Sequence, residues 1–160
     1  MARRVFFSFH YQRDVTRAMV VRNSWVTQER EAAGFFDGSL EEKAKREGDE
    51  AVRRFINAGL NNTSVTVILI GAETSTRRWV TYEIQQSYDR GNGMLGVYVH
   101  NIAGFNRLPD YQGANPFANL VLKDSRKSLS ALYPTYDWAR DSGYQNLGAW
   151  VEQAARQAGR

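Results

Sequence analysis

Six residues, Val65-Thr66-Val67-Ile68-Leu69-Ile70, make a strongly apolar run that stops at Gly71. The run is short and rich in β-branched residues, so it reads as a central strand covered on both faces. A strand of that kind needs helices above and below it, which restricts the chain to layered α/β architectures. The following segment, 77–89, places Val80, Ile84 and Tyr88 four residues apart and reads as an amphipathic helix. Glu83 lies near the start of that helix, close to the carboxyl ends of the strands, where open α/β sheets bind ligands. Glu83 is therefore the first candidate for chemistry.

The rest of the chain alternates in the same way. Residues 5–9 read as a first strand and 14–28 as a helix with Val15, Ala18, Met19, Trp25 and Val26 near helical spacing. Residues 34–37 read as a short second strand before the Gly38-Ser39 turn, and 41–48 as a loop or exposed helical turn. A helix is expected over 49–58, with Gly59 as its C′ residue. The third strand covers 64–70 and the next helix 77–89; Arg90-Gly91-Asn92-Gly93 stops that helix, and 94–99 is a fourth strand. From 100 to 132 periodicity is lost; this long loop holds Pro109 and Pro116 and has room for a short edge strand. Tyr136-Asp137-Trp138 opens a final helical region ending near Ala158, and the aromatics Tyr133, Tyr136, Trp138, Tyr144 and Trp150 are assigned to its packing. The expected fold is α/β: one domain over 1–160, a three-layer, doubly wound parallel sheet of four to five strands in flavodoxin-like order.

Composition removes several chemistries. There is no cysteine, which excludes disulfides, thiolate catalysis and cysteine-ligated metals, and two histidines, His10 and His100, cannot build a multi-histidine metal site. The net charge is +4, but it is spread evenly: residues 1–60 carry 11 Lys+Arg against 9 Asp+Glu, and the remainder 10 against 8. No basic block marks a nucleic-acid partner, and pairs such as Arg77-Arg78 read as solvated flanks. The apolar stretch after Arg3-Arg4 ends at His10, too short for a signal peptide or a membrane span, so a cytoplasmic location is expected.

Familiar phosphate and nucleophile motifs are missing. No G-x-G-x-x-G follows the first strand, no G-x-x-x-x-G-K-[ST] occurs, and no G-x-S-x-G is present. The first strand ends Ser8-Phe9-His10 and the third Ile70-Gly71, so the acidic pocket of a phosphoacceptor domain is absent.

Several blocks instead resemble one family. Arg4-Val5-Phe6-Phe7-Ser8-Phe9-His10-Tyr11, with Asp14 after it, is similar to the opening strand and loop of a TIR domain. Val21-Arg22-Asn23-Ser24-Trp25-Val26, Leu60-Asn61-Asn62-Thr63-Ser64-Val65-Thr66 and Arg77-Arg78-Trp79-Val80-x-Tyr82-Glu83-Ile84 narrow the resemblance to the TIR-like family of bacterial Thoeris anti-phage systems. The resemblance is close over 4–99 and weaker at Asn115-Pro116-Phe117 and Leu132-Tyr133-Pro134-Thr135-Tyr136-Asp137-Trp138.

That resemblance implies an NAD⁺-consuming enzyme. It would cleave the nicotinamide–ribose bond and make a cyclic or modified ADP-ribose messenger for a separate effector protein, with NAD⁺ as substrate, no further cofactor, and self-association on activation. The catalytic glutamate falls at Glu83, in the W-x-x-x-E setting begun by Trp79. Breaking an N-glycosidic bond builds positive charge on the ribose, which a carboxylate stabilises. Nicotinamide leaves as a neutral base from a cation, so one glutamate suffices without metal or general acid.

Other positions stay open. Ser8, Phe9 and His10 end the first strand, where ligands sit; His10 either contacts phosphate or ribose or bonds a nearby loop. Asp37 and Ser39 belong either to a mobile loop gating NAD⁺ or to an ordinary Asx-type turn. Trp79 either flanks the pocket or packs in the core, and Asn23 and Trp25 fit a structural role. The alternative for the whole chain is a TIR-like scaffold that assembles through its surface without chemistry.

Overall fold

A computed structural model describes residues 3–26, 32–33 and 44–160. Five parallel strands form one sheet in the order β2-β1-β3-β4-β5. They are β1 (Val5–Ser8), β2 (Ala32–Ala33), β3 (Val65–Ile70), β4 (Gly93–Tyr98) and β5 (Thr135–Asp137). The helices are α1 (Tyr11–Val26), α2 (Asp49–Leu60), α3 (Arg78–Asp89) and α4 (Gly143–Gln157), and the described residues 44–47 are also helical. This is the doubly wound, flavodoxin-like order expected from the alternation.

Strand alternation explains the two cores. Val5 and Phe7 of β1, Val65, Val67 and Leu69 of β3, and Leu95 and Val97 of β4 pack against α1 and α4. Phe6, Ile68, Ile70 and Met94 point the other way, toward α2, α3 and the segment containing Phe117 and Leu129. All six β3 residues are buried, as a strand covered on both faces requires. Thr66, the polar exception, shares a hydrogen bond with Ser87 at 2.7 Å and accepts one from Asn92 at 3.3 Å, tying β3 to the end of α3.

Several boundaries differ from the sequence reading. Helix α1 starts at Tyr11 rather than 14, because the Asp14 N–H already donates to the His10 carbonyl at 2.9 Å. Helix α2 runs through Gly59 to Leu60, whose side chain is fully buried; the left-handed residue after it is Asn62, with φ 64°. The expected second strand at 34–37 lies outside the described residues, and the pairing partner of Val5 and Phe6 is Ala32–Ala33.

Tyr136 and Asp137 belong to β5 rather than to the final helix, which begins at Gly143. Gly96 makes this edge possible: a Cβ there would lie 2.7 Å from Ile70 and 3.0 Å from Thr135. The Gly96 N–H donates to Pro134 and the Trp138 N–H to Tyr98, both at 3.0 Å. The late aromatics also divide. Tyr136 stacks on Trp150 of α4 with centroids 4.1 Å apart, whereas Tyr133 packs on Phe117 across the sheet and Tyr144 is exposed.

Candidate functional site

The sheet order reverses at β1, whose neighbours β2 and β3 are reached by crossovers in opposite directions. Crevices outside the carboxyl ends of strands at such a point are where open α/β sheets hold ligands. Here β1 ends in Ser8 and passes through Phe9 and His10 directly into α1. After β3, Gly71 leads into a 3-10 turn at Thr74–Thr76, and the Gly71 N–H donates to the Thr74 hydroxyl at 2.8 Å. Arg77 caps α3 in an extended conformation, and Trp79 and Glu83 follow one helical turn apart on the same face.

Two adjoining pockets meet at that face. Phe9, Tyr11, Lys45, Trp79 and Glu83 line both. One is completed by apolar groups from β1 and α2, namely Phe7, Val52, Phe55 and Ile56. The other is completed by His10, Gln12, Arg77, Arg78 and Val80. Glu83, 9 % exposed, is the one carboxylate among the described lining residues. A carboxylate thus stands on the wall between an aromatic lobe and a cationic lobe.

Trp79 is partly buried and held by an aromatic neighbour and by a cation over its ring. Tyr82 meets it edge-on with centroids 5.6 Å apart, and the Arg78 guanidinium lies 4.4 Å from its ring centre. Arg78 also pairs with Asp49 at 2.5 Å; both side chains are exposed, so this pair adds little stability.

His10 is 8 % exposed, and neither ring nitrogen has a hydrogen-bond partner among the described residues. Burial pushes its pKa below the ordinary imidazole value, and the nearby Arg77 charge adds to that. Ser8 is buried opposite Ile68 in the register and does not line either pocket. Phe9, His10, Trp79 and Glu83 are therefore brought together, Ser8 is not, and Asp37 and Ser39 lie outside the described residues.

Beside the cleft, an ionic cluster, buried at Asp14 and Arg17 and partly exposed at Arg13 and Glu73, fixes the strand ends. Arg13 grips Asp110 with Nε at 2.7 Å and Nη2 at 3.0 Å, and reaches Glu73 at 2.7 Å. That bidentate bond lowers the Asp110 pKa to about 2. Asp14, fully buried, bonds Arg17 at 3.3 Å; burial nevertheless raises its pKa above the ordinary carboxylate value. Arg17 donates onward to the carbonyls of Ile102 at 2.8 Å and Leu108 at 3.2 Å. Sequence reasoning missed this cluster and the lining roles of Tyr11, Lys45, Phe55, Arg77 and Arg78. The Arg77-Arg78 pair beside Trp79 was the available signal; Lys45 gave none.

A five-stranded parallel sheet in this order, with a Trp-x-x-x-Glu helix facing the end of β1, defines a TIR-type domain. Residues 6–103 match the family model described as Thoeris protein ThsB, TIR-like domain. The chain is also 39% identical, over an alignment 191 residues long, to a Bacillus cereus (strain MSX-D12) protein provisionally named cyclic ADP-D-ribose synthase ThsB1. That alignment covers 94% of this chain and 100% of the relative. The chain belongs to the Thoeris ThsB TIR-like family.

Proposed function

We propose that this protein consumes NAD⁺, breaking the bond between ribose C1′ and the nicotinamide nitrogen and closing the remaining ADP-ribose into a cyclic product. The observation that carries this reading is Glu83, standing between an aromatic and a cationic lobe at the switch point of the sheet. The name of the Bacillus cereus relative, a cyclic ADP-D-ribose synthase, points the same way.

The chemistry asks little of the protein beyond placement. As the C1′–N bond breaks, its electron pair goes to nicotinamide, which leaves neutral, and positive charge moves to the ribose ring. The Glu83 carboxylate, fixed in advance and shielded from water, stabilises that charge and orients the ribose hydroxyls. An acceptor atom elsewhere in the same ADP-ribose then bonds to C1′ and gives up its proton. Attack by water instead yields free ADP-ribose. The aromatic walls from Phe9, Phe55 and Trp79 favour the first outcome by excluding water. The product then acts on a separate effector, and self-association accompanies activation.

The test is a mass analysis of nucleotides from phage-challenged cells expressing the wild type or Glu83→Gln. Supporting data are a loss of NAD⁺ with a new species lighter than ADP-ribose by one water, both absent in the variant. NAD⁺ levels unchanged in infected cells that remain protected would leave the scaffold reading instead.

A further inference from the structure

The cationic lobe has features that nicotinamide release does not use. It opens at the amino end of α3, a twelve-residue helix whose N-cap, Arg77, provides no side-chain cap. The first-turn N–H groups of a helix have no partners within it and carry the positive end of its dipole. Arg77 makes no ion pair among the described residues, and Lys45 and Arg78 line the same lobe. Independently of the helix, buried His10 faces this lobe with both ring nitrogens lacking hydrogen-bond partners among the described residues. A buried imidazole without partners is costly unless something else supplies them.

We propose that this lobe is a diphosphate subsite in which Arg77 and His10, with the first turn of α3, hold the phosphates of the substrate. The inference rests on the proposed NAD⁺ reading and adds an orientation to it. With the diphosphate against Arg77 and His10, the nicotinamide end of the dinucleotide extends past Glu83 into the aromatic lobe. The bond to be broken then falls at the carboxylate. Arg77 supplies charge and two parallel donors suited to phosphate oxygens. Neutral His10 supplies a single N–H donor. Arg78 contributes less, because Asp49 already engages it.

Calorimetric titration of the resting protein with inorganic pyrophosphate and with ADP-ribose tests this directly. Arg77→Ala weakens both ligands about tenfold, and Arg77→Lys recovers part of the loss, with melting temperatures matching the wild type. Arg140→Ala, at an exposed position remote from the lobe, binds as wild type. In activated protein, Arg77→Ala raises KM for NAD⁺ about tenfold with kcat little changed, and leaves cleavage of nicotinamide riboside, which has no phosphate, unaffected. Pyrophosphate binding that is absent, or equal in Arg77→Ala and wild type, overturns the subsite even if NAD⁺ is cleaved. Arg77-dependent pyrophosphate binding without NAD⁺ turnover in phage-challenged cells upholds the subsite and overturns the substrate reading.

Discussion

At Gly71 a single missing methyl group lets β3 approach α1. A Cβ there would lie 2.0 Å from Oδ2 of the buried Asp14 carboxylate, whose other oxygen accepts from Arg17 at 3.3 Å. Gly71→Ala should therefore cost about 2–3 kcal/mol by overpacking, read as a melting temperature lower by roughly 5–10 °C. An alanine variant that melts with the wild type would show that the Asp14 side chain is not fixed. Asp110 gives a second test at this scale. Its folded pKa of about 2 lies below its ordinary value of 3.8. A depressed acid stabilises the fold fully above the ordinary value and loses that contribution as pH falls toward the folded one. Replacing Asp110 by Asn should cost about 1–2 kcal/mol at about pH 6, allowing for screening at the partly exposed Arg13, and about half as much at about pH 3. Urea unfolding of both proteins at the two pH values checks this; a gap that is constant with pH would contradict the Arg13 pairing.

Among the elements, α1 does more than cover the sheet. From one turn it sends Arg13 to the segments following β3 and β4, and Arg17 to the carbonyls of Ile102 and Leu108. Arg17→Met would leave Asp14 buried without its cation, so a loss of about 3 kcal/mol is expected. Amide exchange at 102–108 should quicken more than in β3; uniform quickening would mean that Arg17 stabilises the fold without anchoring this segment. This is also the scale at which the sequence was hardest to read. The apolar β3 and the four-residue spacing of Val80 and Ile84 were legible because each pattern is longer than the noise around it. Strand β5 has three residues, too few for alternation to register, and depends on bare backbone at Gly96. The end of α2 was misplaced because Gly59 looked like a stop, whereas burial of Leu60 carried the helix two residues further.

Across the whole molecule, the two halves of the cleft come from segments distant in sequence. Residues 44–56 and the end of β1 supply apolar walls, and α3 with its N-cap supplies Arg77, Trp79 and Glu83. Glu83 could be found in the sequence because Trp79 frames it at a fixed spacing. Lys45, Phe55 and Tyr11 could not, since their roles arise only when the sheet order brings β1 between β2 and β3. No helix among the described residues is long and apolar enough to cross a membrane. In the proposed reaction one carboxylate, Glu83, drives loss of nicotinamide from NAD⁺. The most direct measurement is the rate of nicotinamide release by activated wild-type protein and by Glu83→Gln, with matched melting temperatures as proof of folding. A fall of about a hundredfold or more in kcat is expected. Nicotinamide release by folded Glu83→Gln at the wild-type rate would contradict it.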